Sequence, residues 1–246
     1  SLCLAAMTRS LPSLPGWGAI SSTHQADVQL TFSGYVVAYG ALQLVYGPLS
    51  DRHGRKPILM LGLVVAGLAS VMAALATDIA TLTAARVLQG AGSAASMVVS
   101  RSMVQDLFTG PQRTRVMAYI GMALGMCPPL ATLIGGQIHV RYGWQTNFVL
   151  LAVLAVVLLV AAWLGLPRVA KPAPAAGHWL RAMLSAYARL LREPRFLLYV
   201  AILAATTATF YAFLAGAPIV LKGYGIGPDG IGWFIMAVPV SYILGN

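Results

Sequence analysis

The stretch Gly47-Pro48-Leu49-Ser50-Asp51-Arg52-His53-Gly54-Arg55-Lys56-Pro57 decides the fold. It is a charge-dense interruption between two apolar runs, Val28 to Tyr46 and Ile58 to Ala76. Each run approaches the ~20 residues that an α-helix needs to cross a bilayer. Two spans joined by so short a connection form an antiparallel helical hairpin, with the charged stretch read as a loop at one membrane face. Its net charge is positive, and clustered Lys and Arg mark the cytoplasmic side.

Working outward, the same alternation recurs along the chain. Of its residues, 59% are hydrophobic and only 9% charged, with a mean hydropathy of +0.78. A soluble domain carries roughly 25% charged residues. The apolar runs do not alternate with polar residues as the strands of a membrane barrel do. A polytopic α-helical membrane protein is therefore expected.

Span 1 is a stub from Ser1 to about Pro15, and Asp27 opens span 2. Pro57 is expected to start span 3, where its missing N–H costs nothing. Thr77-Asp78 makes an outer turn, and span 4 runs from about Ile79 to Leu107. Span 5 is expected from about Arg115 to Ile138 and span 6 from about Gln145 to Leu166. Span 7 covers about Phe196 to Leu221, and span 8 begins near Ile231. The start at Ser1 and the stop at Asn246 inside an apolar run are read as the ends of a fragment cut within its first and last spans.

This gives three regions: a six-helix half over 1–166, a basic linker over 167–195, and the start of a second half over 196–246. Within the linker, Trp179 to Arg192 interleaves Leu180, Met183, Leu184, Tyr187, Leu190 and Leu191 with Arg181, Arg189 and Arg192. That spacing predicts an amphipathic helix on the inner membrane surface.

A net charge of +10 raises the question of nucleic acid, but its distribution answers it. Arg52, Arg55, Lys56, Arg113, Arg115, Arg168, Lys171, Arg181, Arg189, Arg192 and Arg195 all fall in alternate connections, whereas the other connections hold Arg141 and Lys222. This places the loops after spans 2, 4 and 6 in the cytoplasm, beside anionic lipid, and argues against a nucleic-acid partner. Cys3 and Cys127 sit in apolar runs and read as small buried hydrophobes. His24, His53, His139 and His178 are scattered over separate segments, so neither a metal site nor an enzyme centre is expected.

Three stretches carry chemistry. At the signature, Asp51 can accept from the amides of another helix N-terminus, and Arg55 can pair with Asp106 near the cytoplasmic end of span 4. In span 4, Arg86 lies inside the membrane, where a charged side chain costs about 2.5–3.5 kcal/mol on insertion scales and so faces a partner or a cavity. Gln89 and Gly90 follow it by three and four residues, on the same helix face. Snorkelling of Arg86 to the outer surface, two turns away, is the competing reading. In span 5, Gly121 and Gly125 allow close helix approach, and Pro128-Pro129, followed by Gly135-Gly136, predict a kink.

The pattern Gly-x-x-x-Asp-Arg-x-Gly-Arg-Lys resembles the loop between helices 2 and 3 of major facilitator superfamily transporters. The span-4 Arg86-x-x-Gln89-Gly90 pattern resembles the motif of drug:proton antiporters, and the span-5 run resembles their antiporter motif, with Cys127 replacing the usual glycine before the proline. Val28-Gln29-Leu30-Thr31, Tyr35, Gln43, Val104-Gln105-Asp106-Leu107 and Gly143-Trp144 bring the chain closest to the Bcr/CflA-type multidrug exporters.

The resemblance implies an all-α integral membrane protein with the major facilitator fold, the first six-helix half plus the start of the second. It implies a non-enzymatic, monomeric transporter in the inner membrane, working by alternating access in multidrug efflux and antibiotic resistance. No cofactor is implied beyond a proton gradient as energy source. Gly47, Asp51, Arg52, Gly54, Arg55, Lys56 and Asp106 would form a conformational latch, and Arg86, Gln89 and Gly90 would serve proton coupling. Arg9, Tyr35, Gln43, Met122, Met126, Tyr211 and Phe213 are candidates for the wall of a small-molecule cavity.

One departure stands out. The group usually carries an Asp in span 1, and Thr8 occupies that place here, followed by Arg9. Asp27, Asp51, Asp78, Asp106, Glu193 and Asp229 all map to span ends or loops. An importer of sugars or organic anions would instead want more charged or amide groups in the cavity than Arg9, Arg86 and Gln89. A membrane enzyme or scaffold has still less support.

Overall fold

A computed structural model describes residues 25–167 and 179–224. Seven helices follow in order: α1 (Gln25–His53), α2 (Arg55–Ala74), α3 (Ile79–Leu107), α4 (Gly110–Tyr142), α5 (Gln145–Gly165), α6 (Trp179–Leu190) and α7 (Pro194–Gly223). Among the described residues there is no strand. Expected spans 2 to 7 correspond to α1–α5 and α7, whereas the stub before Gln25 and the turn and span after Tyr224 lie outside the described residues.

The signature stretch is not the loop that the sequence suggests. Helix α1 continues to His53 and α2 begins at Arg55, so Gly54 alone separates them. Its φ of 97° lies in the left-handed region, which only glycine enters without strain. The Gly54 N–H still bonds the Ser50 carbonyl at 3.0 Å, closing the last turn of α1. Pro48 therefore sits inside α1, and Pro57 is the third residue of α2, within the first turn where proline is tolerated. Helix α1 also opens two residues before Asp27, and α4 opens at Gly110 and runs unbroken through Pro128-Pro129 to Tyr142.

The chain divides into two compact units, Ser1–Pro172 and Ala173–Asn246. In the first, α3 is the central element, packed along α1 on one side and α2 on the other, with α5 on α2 and α4 touching α5 and α3. The α2–α3 crossing is made by small residues. A Cβ on Gly92 would stand 2.4 Å from the Ala66 backbone nitrogen, and one on Gly62 would stand 2.3 Å from the Ala95 Cβ. Backbones that meet this closely gain dispersion contact, which is what holds helices together where no water is expelled.

Two buried clusters result. One, with Tyr46, Ile58, Leu63, Val99 and Met103, lies toward the signature. The other, with Tyr35, Ala73, Leu82, Ala85, Phe148 and Leu151, lies toward the α2–α3 turn. At that turn Asp78 caps α3, its Oδ1 accepting from the Thr81 N–H at 2.8 Å and its Oδ2 from the Thr81 hydroxyl at 2.7 Å. Those bonds hold the Asp78 carboxyl below the usual range.

Large apolar side chains face outward on α2 and α5, among them Leu61, Leu68, Val71, Val153, Val157 and Leu164. Both helices are long and apolar enough to cross a membrane. Helices α1, α3 and α4 are longer but interrupted by polar residues.

The second unit holds α6 and α7. In α7, Thr206, Thr207 and Thr209 turn their hydroxyls back onto the carbonyls of Ile202, Leu203 and Ala205 at 2.7–2.9 Å. A hydroxyl satisfied within its own helix can sit in an apolar environment without an outside partner.

Candidate functional site

Two arginine sites sit along α3, one near each end of its buried length. At the signature end, Arg55 is drawn into a cluster of acceptors. Its Nε donates to Asp106 Oδ2 of α3 at 2.9 Å, and one terminal nitrogen reaches the Ser50 hydroxyl at 2.7 Å and pairs with Asp51 one turn earlier. Arg55 is mostly covered, at 16% side-chain exposure, while Asp106 and Asp51 retain 35% and 57%. The Ser50 hydroxyl passes its own hydrogen to the Gly47 carbonyl at 2.8 Å.

The structure thus brings Arg55, Asp51 and Asp106 together, and with them α1, α2 and α3. The Asp51 carboxylate lies on Arg55 rather than on the amides of another helix. Arg52 and His53 point outward. Gly47 is no point of tight packing, since an added Cβ would meet only Val98 at an ordinary 3.9 Å.

Lys56 does something the sequence does not suggest. Its Nζ donates to the carbonyls of Trp163 and Leu166, each at 2.7 Å. A cation on the last carbonyls of a helix satisfies orphan acceptors and opposes the negative end of the helix dipole. Lys56 therefore ties the start of α2 to the end of α5, across more than a hundred residues of sequence.

The second site is buried. Arg86 on α3 has no exposed surface, so it does not snorkel. Its terminal nitrogen donates to Gln89 Oε1 at 2.6 Å. The Gln89 amide in turn donates to Ser70 Oγ of α2 at 2.6 Å, and Ser70 donates to the Ala66 carbonyl at 2.7 Å. The chain Arg86–Gln89–Ser70–Ala66 links α3 to α2.

Two aromatic rings face the guanidinium. Its Cζ stands 4.4 Å from the Tyr35 ring centroid and 5.9 Å from that of Phe148. Tyr35 stacks on Tyr39, with centroids 6.2 Å apart and planes 8° from parallel. Gly90 touches α1: a Cβ there would stand 2.4 Å from the Tyr35 carbonyl oxygen. A guanidinium so placed can stay charged in a dry interior, because its charge is met by an amide oxygen and ring quadrupoles.

Tyr35, expected on a cavity wall, is fully buried and belongs to the Arg86 site. Gln43, Met122 and Met126 are half-buried. Tyr211 and Phe213 lie on α7, with side chains outside the described set, and Arg9 lies outside the described residues. On α4, an added Cβ at Gly121 would touch nothing among the described residues, so no close helix approach is seen there. Gly125 is half-buried and Gly135 buried, while Pro128, Pro129 and Gly136 fall within the same helix.

Sequence reasoning missed Asn147, which is 3% exposed near the start of α5 and donates to the Gly135 carbonyl at 3.2 Å. An amide opening a strongly apolar run was the available signal. No cluster of three or more His, Cys, Asp or Glu suited to a metal ion occurs among the described residues.

Comparison with known proteins bears on the family. The chloramphenicol resistance protein of Pseudomonas aeruginosa is 29% identical over 239 residues, covering 96% of this chain and 56% of the relative. Multidrug resistance protein D of Escherichia coli is 28% identical over 242 residues, covering 96% and 60%. A bicyclomycin resistance protein homolog of Haemophilus influenzae is 28% identical over 226 residues, covering 92% and 56%. The chain thus spans a little over half the length of these relatives. The sequence profile of the Major Facilitator Superfamily matches residues 1–246 without a break. The all-helical fold, the signature around Gly54 and the buried Arg86 stand on a chain that belongs to the Major Facilitator Superfamily.

Proposed function

We propose that the chain carries the first half, and the start of the second, of a secondary transporter that exports small amphipathic molecules in exchange for protons. The observation that carries this reading is the complete burial of a charged Arg86 inside the helical unit. An intramembrane arginine is costly, and a site built to hold one points to a pathway for charge rather than to packing alone. The resistance named in all three relatives supports drug-like cargo.

The protein then works as a monomer, a multi-pass component of the inner membrane with the loops after spans 2, 4 and 6 in the cytoplasm. The Arg55 cluster ties α1, α2 and α3 at that face. Alternating access requires such contacts to form in one state and break in the other. Arg55 with Asp51 and Asp106 serves as the latch of the outward-facing state, and Lys56 extends it to the end of α5. No metal or organic cofactor takes part, and the proton gradient supplies the energy.

The test is export by the full-length protein in a host stripped of its own exporters. Chloramphenicol and bicyclomycin should be tolerated at raised concentration, and tolerance should collapse when the proton gradient is dissipated. Unchanged sensitivity to a broad panel of amphipathic drugs would overturn the reading.

A further inference from the structure

We propose that Tyr35 is a positioning residue for Arg86: its ring face carries the buried guanidinium, and Gly90 is glycine so that this ring can be brought beneath it. The proposal deepens the reading of Arg86 as a coupling group and rests on that reading for its functional part.

Four observations converge. The Arg86 Cζ lies 4.4 Å from the Tyr35 centroid, well inside the ~6 Å reach of a cation–π contact. Both residues are fully buried, so water does not weaken the attraction. Tyr39 stacks on Tyr35 nearly in parallel and fixes its plane. The α1 backbone at Tyr35 then approaches α3 so closely that a methyl group on Gly90 would sit 2.4 Å from the Tyr35 carbonyl oxygen and 3.3 Å from its Cα. Backbone atoms cannot swing aside as a flexible side chain can, so any residue other than glycine pushes α1 away and withdraws the platform.

The second aromatic face, Phe148 of α5, is 5.9 Å from Arg86 and contributes less. Around Arg86, α1 presents the titratable Tyr35 and Tyr39, α2 presents Ser70, and α5 presents Phe148. Cys127 of α4 packs on the same cluster.

The division of labour follows. Gln89 fixes one edge of the guanidinium through a directional bond. Tyr35 fixes the height of its plane through a non-directional attraction that tolerates sliding. A coupling group must change partners during a transport cycle, and a ring face lets the guanidinium move laterally without leaving its charge unmet.

The experiment replaces Tyr35 by phenylalanine and then by mono-, di- and trifluorinated phenylalanines. These keep the ring's size while progressively draining its negative face. With Tyr35→Phe as the starting point, thermal stability of the purified full-length protein should fall stepwise with each fluorine. Proton-driven transport in proteoliposomes should fall in parallel, by about 10- to 30-fold at full fluorination, the range open to a desolvated cation–π contact. In an Arg86→Met background the same series should leave stability flat. Gly90→Ala should reproduce the transport defect.

A flat stability series in the wild-type background, or an equal slope without Arg86, would reduce Tyr35 to ordinary packing and overturn the proposal. A stepwise loss of stability with transport unaffected would overturn the positioning role. If the unsubstituted protein shows no proton-driven transport, the functional reading fails, while the stability series still decides the contact.

Discussion

Arg55 and Arg86 are the same side chain held in two opposite ways. Arg55 sits at a helix junction among carboxylates that keep 35% and 57% of their exposure. Arg86 sits at zero exposure among an amide and aromatic faces. Exposed ion pairs are screened and individually worth little, so they form and break readily. A buried guanidinium cannot be abandoned by its partners without a heavy cost. The first arrangement suits a contact that opens and closes, as the proposed cycle requires, and the second suits a charge that must never be left without a partner.

The comparison breaks most visibly at Gln89. Gln89→Leu removes a 2.6 Å hydrogen bond to a fully buried charge and also orphans the Ser70 link. A loss of about 1.5–3 kcal/mol is expected, the range for hydrogen bonds to charged groups, measured by thermal unfolding in detergent. An equal Tm would show that the amide is incidental.

Next comes the helix crossing that seats the buried site. Gly92→Ala places a methyl group 2.4 Å from a backbone nitrogen of α2. It should destabilise by about 1–3 kcal/mol, as overpacking does, while Gly121→Ala, facing open space, should leave the Tm within error.

Asp106→Asn or Asp51→Asn sharpens the other side. Each should cost no more than about 1 kcal/mol of stability, yet Asp51→Asn should abolish efflux in intact cells with the protein still in the membrane. Normal export by the Asp51 variant would remove the latch.

The smallest effect is at the far turn. Asp78 has its carboxyl held low, first by the Thr81 hydroxyl and then by the Thr81 amide. A carboxyl lowered in the folded state adds stability above its ordinary value, near 3.8, and loses that contribution as pH falls through the lowered one. Wild type and Asp78→Ala should therefore differ in Tm slightly at neutral pH and converge as pH falls through the lowered value. A gap that persists in acid would contradict the capping account.

Much of this was legible in the sequence, and the reasons differ by site. Arg55–Asp106 was readable because both residues fall at span ends that the charge pattern places on one face. Arg86–Gln89 was readable because three residues make a helical turn. The place of Tyr35 beside Arg86 was hidden, because nothing in a one-dimensional pattern tells which face of α1 meets Gly90. Lys56 on Trp163 and Leu166 was invisible, since backbone carbonyls leave no mark in a sequence. The signature looks like a loop in sequence because of its charges and prolines, whereas a single left-handed glycine turns the corner.

The central claim is that Arg86 is a coupling group rather than a structural one. Its most direct test is substrate accumulation in proteoliposomes with the full-length protein, with and without an imposed pH gradient, for wild type and Arg86→Met. The account predicts that the variant still binds substrate and lets it run downhill, but no longer accumulates it against a gradient at any pH. Gradient-driven accumulation equal to wild type, with an unchanged pH profile, would contradict it.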